Sequence, residues 1–293
     1  MMRIGLLIDS LVGGGAERVV LNLAHVFSKL GHDVHIILLK NLIMHDYDKT
    51  VVKLEILSET GCLSKNKLIN KIKLSRCLKE KIKQIESHDG IKFDLFISNA
   101  EDSDVIAKLA KLPHVFVRYR NSMKYFIDTK IGKKGPLKTW IRTKKFYLRF
   151  RLTYSNMNII TVSDAMQHDI VNEVGVKPKS IRTIYNPFDF EMLRKKAEEK
   201  IESMPSEPYI VYVAKFENRK RHDVLVRAFA KLNLDLKLVL VGGCHTQEDR
   251  QTLEKIKNLS TDLGVVDKVV YTGFQSNPYP WIKKCHFICY VVR

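Results

Sequence analysis

The chain has 293 residues, 45% of them hydrophobic, with 50 Lys/Arg against 32 Asp/Glu and a net charge of +18. This length and apolar content fit two ordinary domains with real cores and exclude a disordered chain. Residues 201–293 hold 14 Lys/Arg and 10 Asp/Glu, so most of the excess lies in residues 1–200, which points to an anionic partner there: nucleic acid, a phosphate-bearing substrate or an anionic lipid surface.

The elements alternate from the start. "RIGLLID" is a short continuous apolar run of the buried parallel-strand kind. Ala16, Val19, Val20, Leu23, Phe27 and Leu30 then recur at helical spacing, Gly31 stops the helix, and "DVHIILLK" is the next strand. "VKLEIL", "FDLFISN", "HVFVRY" and "MNIITVSD" read as further strands, with helices in "KNKLINKIKLSRCLKEKIKQIE" and "DVIAKLAKL", and Ser163 is a good N-cap. Around "NPFDFEMLRKKAEEKIESMPSEP" the strands stop, and charge, Pro and Ser accumulate as in a linker. A second alternation follows: "YIVYVAKF", "HDVLVRAFAKL", "LKLVLVGG", "EDRQTLEKIKNLSTDLG", "KVVYTGF" and "HFICYVV". Together these predict an α/β fold with a first domain at 1–187, a linker at 188–207 and a second domain at 208–293. The four strands of that second domain would leave an open edge.

Asp9 interrupts the first apolar run, which argues against a signal peptide, and no apolar stretch is long enough to span a bilayer. Five cysteines at irregular spacings read as free thiols of a reducing compartment. The expected location is cytoplasmic, with any membrane contact peripheral, on the inner face of the plasma membrane.

"LVGGGAERVVLNLA" places three glycines between the first strand and its helix, where backbone N–H groups favour an anion. In the dinucleotide fingerprint G-x-G-x-x-G, Gly13 and Gly15 fit but Arg18 holds the third glycine's place, and Lys40-Asn41 stands where an acid should end the second strand. NAD is therefore disfavoured. Glu17 suits the helix dipole, whereas Arg18 opposes it and suggests an anion nearby. The plainer alternative is a tight turn with no ligand.

"GGGAERVVLNLA", "TVSDAMQHDI", "IYNPFD", "VAKFENRKRHDVLVRAF", "LVLVGG" and "VVYTGFQSNPYPWIKKCHFICYVV" occur in that order. The series resembles the family-four retaining glycosyltransferases of the GT-B architecture. The resemblance implies two Rossmann-like domains facing a cleft, the acceptor side first and the sugar-nucleotide side second. It implies that Gly14 and Gly15 let backbone amides approach the donor, and Glu17, Arg18 and, within "IYNPFD", Asn186 are taken with them as substrate-binding residues. The family's Gly-Arg and Lys, which clamp the donor diphosphate, match Ala214-Lys215 and Lys220; Lys215 keeps the charge but loses the two-pronged hydrogen bonding of Arg. The alternative for Lys215, Arg219, Lys220 and Arg221 is a solvated basic loop. Gly242 and Gly243 resemble the Gly-rich turn beside the nucleotide, although Gly also closes ordinary turns. "FQSNPYPWI" resembles the loop over the base. Where the family often has a His near the donor sugar, "HVFVRYRNS" offers Arg118, Arg120 and Asn121. Arg120 is the candidate catalytic residue, against a plain surface arginine, and His114 reads as structural. The family's E-x7-E pair should follow "CHFICYVV", where the chain ends at Arg293. The expectation is a C-terminally truncated second domain with impaired donor binding.

Asp46-Tyr47-Asp48 and Asp102-Ser103-Asp104 match D-x-D, the metal-holding motif of the other large glycosyltransferase architecture. Helix capping explains the second, and Cys285-His286-x-x-Cys289 is too sparse for zinc. No metal and no cofactor is expected beyond the donor. "KNKLINKIKLSRCLKEKIK" and "KTWIRTKKFYLRFRLTY" fit basic amphipathic helices on anionic lipid, against a solvated face; nucleic acid is disfavoured because no base-reading motif accompanies the charge. The reading is a metal-independent retaining glycosyltransferase. It moves sugar from a nucleoside-diphosphate donor to a glycan or lipid-linked acceptor in cell-surface polysaccharide or lipopolysaccharide synthesis. The rivals are an inactive remnant that keeps acceptor or membrane binding, and a sugar-nucleotide epimerase of the same architecture.

Overall fold

The computed structural model describes residues 1–12, 15–45, 47, 49, 52–122, 136–232 and 234–291. The chain divides into two compact units, Met1–Pro187 and Phe188–Arg293.

In the first unit, β1 (Arg3–Ile8), α1 (Gly15–Lys29), β2 (Asp33–Leu38), β3 (Lys53–Ile56), α2 (Lys67–Asp89), β4 (Leu95–Ser98), α3 (Glu101–Leu109) and β5 (Val115–Tyr119) follow in order. Then come α4 (Pro136–Tyr154), β6 (Asn158–Thr161), α5 (Asp164–His168) and β7 (Ser180–Thr183). Among the described residues the strands form a parallel sheet ordered β3-β2-β1-β4-β5-β6-β7. Side chains alternate across it. Leu7, Ile37, Phe96, Val117 and Ile159 pack on one face beneath α2, α3 and α4, and Ile4, Ile8, Ile36 and Ile97 on the other beneath Val20 and Ala24 of α1. The order reverses between β1 and β4. In doubly wound sheets the crevice at the carboxyl ends of such strands is where ligands bind.

At the opposite, amino edge the sheet is closed by charge. Arg3, 2% exposed, donates to Asp33 (2.7 Å), to the Ile91 carbonyl (2.7 Å) and to both carboxylate oxygens of Asp89, and Lys53 meets the other Asp33 oxygen at 2.6 Å. These partners hold the Arg3 guanidinium charged and the Asp33 and Asp89 carboxyls below their usual range.

In the second unit, α6 (Phe190–Ala197), β8 (Tyr209–Val213), α7 (His222–Leu232), β9 (Lys237–Val241), α8 (Gln247–Asp262), β10 (Val269–Gly273), α9 (Tyr279–Lys284) and β11 (Phe287–Ile288) build a parallel sheet ordered β10-β9-β8-β11. α7 and α8 cover one face, while Trp281 of α9 is fully buried on the other, edge-on to Tyr209. β11 is an edge strand whose Phe287 and Ile288 are 62% and 61% exposed.

Ser163 caps α5 as expected, its hydroxyl accepting from Met166 N. Other local readings change. β7, "SIRT", is missing from the sequence reading because it is short and has no apolar run. The charged stretch read as a linker holds α6, capped by Asp189 and packed against α9 in the second unit. "FQSNPYPWI" is only partly loop, since α9 begins at Tyr279 and drives Trp281 into the core.

Candidate active site

The carboxyl edge of the first unit gathers polar side chains that the apolar strands cannot explain. Asn99, fully buried just past β4, donates to the carbonyls of Leu7 (3.3 Å) and Ile97 (3.0 Å), so its side chain bridges the two strands at the switch point. Its Oδ1 accepts from Arg118, 3.3 Å away, and Arg118 also donates to Asn186 Oδ1. Asn186, expected at the substrate site, thus lies beside a buried arginine. Arg120, just past β5, is half-buried, and its charge acts on Asp9, Asp104 and Arg118.

The carboxylates of this edge are already engaged. Asp9 accepts from Ser103 N (3.0 Å) and Oγ (2.6 Å), and Asp104 from Ser98 Oγ (2.6 Å) and Tyr154 OH (2.8 Å). Burial raises both carboxyl pKa values, that of Asp104 to about 7. This corrects the capping argument for Asp102 to Asp104. The N-cap of α3 is Ala100, which makes no side-chain bond, and the carboxylate that satisfies the helix's first turn is Asp9, reaching over from β1. Asp102 and Asp104 also diverge, because Asp102 pairs with Lys71 at the surface while Asp104 enters the core. A metal site would need these carboxylates to converge. No cluster of three His, Cys, Asp or Glu side chains suited to a metal occurs among the described residues. Asp46 and Asp48 lie outside them.

Gly13 and Gly14 also lie outside the described residues. Gly15 opens α1, and a Cβ built there would meet nothing within 4 Å, so the chain's own packing does not demand glycine. Glu17 and Arg18 follow in the first turn of α1, both half-buried.

At the carboxyl edge of the second unit the structure sorts a run of four cations. Arg219 pairs with Glu217, and Arg221 makes a two-pronged contact with Asp223, both bonds 3.0 Å. Lys215 and Lys220, both half-buried, have no carboxylate partner among the described residues. Burial, and then the like charges of Arg219 and Lys215, push the Lys220 pKa down, with Glu217 opposing. Tyr212 OH donates to the Lys220 carbonyl (2.7 Å), and His222 stacks on Phe216 with centroids 4.5 Å apart, which fixes the base of the turn. Gly242 is demanded by packing: a Cβ there would lie 1.9 Å from the Ala214 carbonyl oxygen. A Cβ on Gly243 would come within 2.9 Å of Phe274 Cβ. These two glycines let the strand ends of β8, β9 and β10 close on one another, whatever else they touch.

A Glycosyltransferase Family 4 model matches residues 13–192, and a Glycosyl transferases group 1 model matches residues 194–291. The chain belongs to the family-4 glycosyltransferases. Among curated relatives of this glycosyltransferase, the N-acetylgalactosamine-N,N'-diacetylbacillosaminyl-diphospho-undecaprenol 4-alpha-N-acetylgalactosaminyltransferase of Campylobacter jejuni is 28% identical over 295 residues, covering 99% of this chain and 74% of the relative. The human GDP-Man:Man(3)GlcNAc(2)-PP-Dol alpha-1,2-mannosyltransferase is 39% identical over 83 residues, covering 25% of this chain and 16% of its own length. The crystal structure of Anabaena HepE in complex with UDP and glucose aligns with a TM-score of 0.70 at 15% identity, covering 99% of this chain and 74% of that one, so the fold is GT-B.

Asn99 is the edge residue of this glycosyltransferase that the sequence reading misses, whereas Arg118 is offered there beside Arg120 and Asn121 and passed over for Arg120. Arg118 had a visible sign, a cation inside the otherwise apolar strand "HVFVRY". Asn99 had none, because a loop asparagine after a strand is commonplace.

Proposed function

We propose that this glycosyltransferase transfers a hexosyl group with retention of configuration, without a metal ion, from a nucleoside-diphosphate sugar to a glycan or lipid-linked acceptor in cell-surface polysaccharide or lipopolysaccharide synthesis. The observation that carries the donor half is the sorting of the basic turn. Two of its cations are neutralised by carboxylates, and Lys215 and Lys220, with no carboxylate partner among the described residues, are left to an anion from outside. When the bond between sugar and diphosphate breaks, negative charge builds on the leaving group, and fixed cations in a half-buried turn offset it. Lys220 is suited to this because its charge is already disfavoured by burial and by like neighbours, a cost that a diphosphate would relieve. The divergence of Asp102 and Asp104 supports the metal-free reading. Gly15, which no neighbour among the described residues requires, supports a close approach of substrate to the start of α1. A lipid-linked acceptor is supported by the two curated relatives, whose names carry diphospho-undecaprenol and PP-Dol. The membrane contact is assigned to α4, whose outward face is apolar and rimmed by cations.

The test is sugar transfer from a panel of UDP- and GDP-sugars to a synthetic polyprenyl-diphosphate-linked saccharide, with the product's anomeric configuration read by NMR. Lys215→Ala and Lys220→Ala should each lower kcat/KM by on the order of 100-fold, and EDTA should leave the rate unchanged. Equal rates in the doubly substituted chain would refute the clamp. Loss of activity in EDTA, restored by manganese, would refute the metal-free reading.

A further inference from the structure

The first unit's sheet buries two arginines and treats them differently. Arg3, 2% exposed, sits at the amino edge and is neutralised by Asp33 and Asp89. Arg118, 6% exposed, sits at the carboxyl end of β5 with two amide oxygens, those of Asn99 and Asn186. Amide oxygens orient a guanidinium without cancelling its charge. Among the described residues no carboxylate pairs with Arg118, and the charged group that acts on it is Arg120, of the same sign. The two carboxylates on which the Arg120 charge acts, Asp9 and Asp104, accept from Ser103 in one case and from Ser98 and Tyr154 in the other.

A buried charge without a counter-ion is strongly unfavourable, and a second cation beside it makes it more so. Burial and the Arg120 charge accordingly push the Arg118 pKa down to about 10. The surroundings favour an anion. On β5, Val117 and Tyr119 face the α2–α3–α4 side, so Arg118 projects to the side covered by α1. The N-terminus of α1 opens at this same carboxyl edge, bringing the positive end of its dipole.

We propose that Arg118, with Arg120 beside it and Asn99 and Asn186 holding its fork, forms a phosphate-class anion site in the first unit, built from residues other than those of the Lys215–Lys220 turn. A guanidinium held from two sides presents its remaining edge to paired oxygens, the geometry that suits a diphosphate. The diphosphate comes from the donor nucleotide or from a lipid-linked acceptor, and here the assignment rests on the transferase reading above.

Isothermal titration of inorganic pyrophosphate into the full chain tests the site without turnover. The Lys215→Ala/Lys220→Ala background removes the other cationic turn, and pyrophosphate binding should survive there. Adding Arg118→Gln or Arg120→Gln should weaken it at least tenfold, while Arg118→Lys, which keeps the charge but not the fork, should fall between. Thermal melts of each variant guard against misfolding; Arg120, half-buried at the rim, gives a readout even if Arg118→Gln does not fold. UDP and farnesyl diphosphate, titrated in parallel, separate the sources: whichever loses affinity with the arginines names the ligand. If pyrophosphate does not bind in the background, or binds equally with both arginines replaced, the site does not exist. Failure of the transferase reading would instead show as no sugar transfer by the unsubstituted chain.

Discussion

Asp104 shows how one residue can set the pH response of a sheet edge. Its carboxyl group is 3% exposed, and burial outweighs the hydrogen bonds from Ser98 and Tyr154, raising the pKa from 3.8 to about 7. Between those values the folded chain keeps a proton that the unfolded chain has lost. The resulting stability is complete below about pH 4 and disappears as pH rises through about 7. Asp104→Asn, neutral at every pH, should therefore gain on the unsubstituted protein by up to about 1.4 kcal/mol per pH unit across that window. Thermal melts from pH 4.5 to 8 would check this, and a difference that does not vary with pH would remove the basis for the shift. Little of this could be read from the sequence. "EDSD" reads as an acidic helix start, and only the fold reveals that its last carboxylate turns inward while Asp9, far away in sequence, supplies the cap. Lys215 and Lys220 stood out as candidates because they follow an obvious strand. Their distinction from Arg219 and Arg221 depends on which carboxylates reach which cation, and residue order does not encode that.

At the scale of elements, α2 and α4 look alike in sequence, both long, basic and amphipathic. The structure separates them. α2 spends its apolar face on the core through Leu74, Leu78 and Ile82. α4 has two apolar faces: Phe146, Phe150 and Tyr154 pack inward, while Leu137, Trp140, Ile141, Leu148 and Leu152 point outward at 70%, 60%, 41%, 58% and 68% exposure. The outward set follows helical spacing and is accompanied by Lys138, Arg142, Lys144, Lys145, Arg149 and Arg151, with no acid in the helix. Such a face suits the headgroup boundary of an anionic bilayer. No helix among the described residues is long and apolar enough to cross a membrane. Co-flotation with vesicles containing phosphatidylglycerol should be strong at low salt and weak with pure phosphatidylcholine. Replacing Trp140, Leu148 and Leu152 by Ser should reduce it several-fold, and unchanged flotation would return α4 to the role of a solvated helix. Helix and strand periodicity made these elements legible. β7 and α6 were not, because a four-residue strand and a charged helix leave too short a pattern to read.

At the scale of the whole molecule, Asp104 in the first unit and His222 in the second pull stability in opposite directions as pH falls. In the second unit, burial of His222 lowers its pKa from 6.5 to about 4. The folded imidazole stays neutral where the unfolded one takes up a proton, so that unit loses stability as pH falls from about 6.5 towards 4. Asp104, with Asp9 acting in the same direction, favours the first unit over much of the same range, while buried His35, its pKa lowered by desolvation, opposes that gain. Each unit has its own core, so scanning calorimetry should resolve two transitions whose shifts between pH 6.5 and 4.5 can be read separately. His222→Gln should reduce the second unit's downward shift alone, and Asp104→Asn should make the first unit's transition fall further on acidification; a variant that leaves its own unit's shift unchanged contradicts that residue's assignment. The division into two α/β units was legible in the alternation of strands and helices, whereas the charge knot around Arg3 was not, since its partners lie 30 and 86 residues away.

That knot has a practical consequence. It fixes the start of the chain at the amino edge of the sheet, where Met1 is 92% exposed, whereas Arg118 and Asn186 lie towards the other end of the parallel strands. A fluorophore, biotin or surface tether fused ahead of Met1 therefore leaves the first unit's candidate anion site unobstructed, so immobilised or labelled protein is suitable for the binding measurements proposed above.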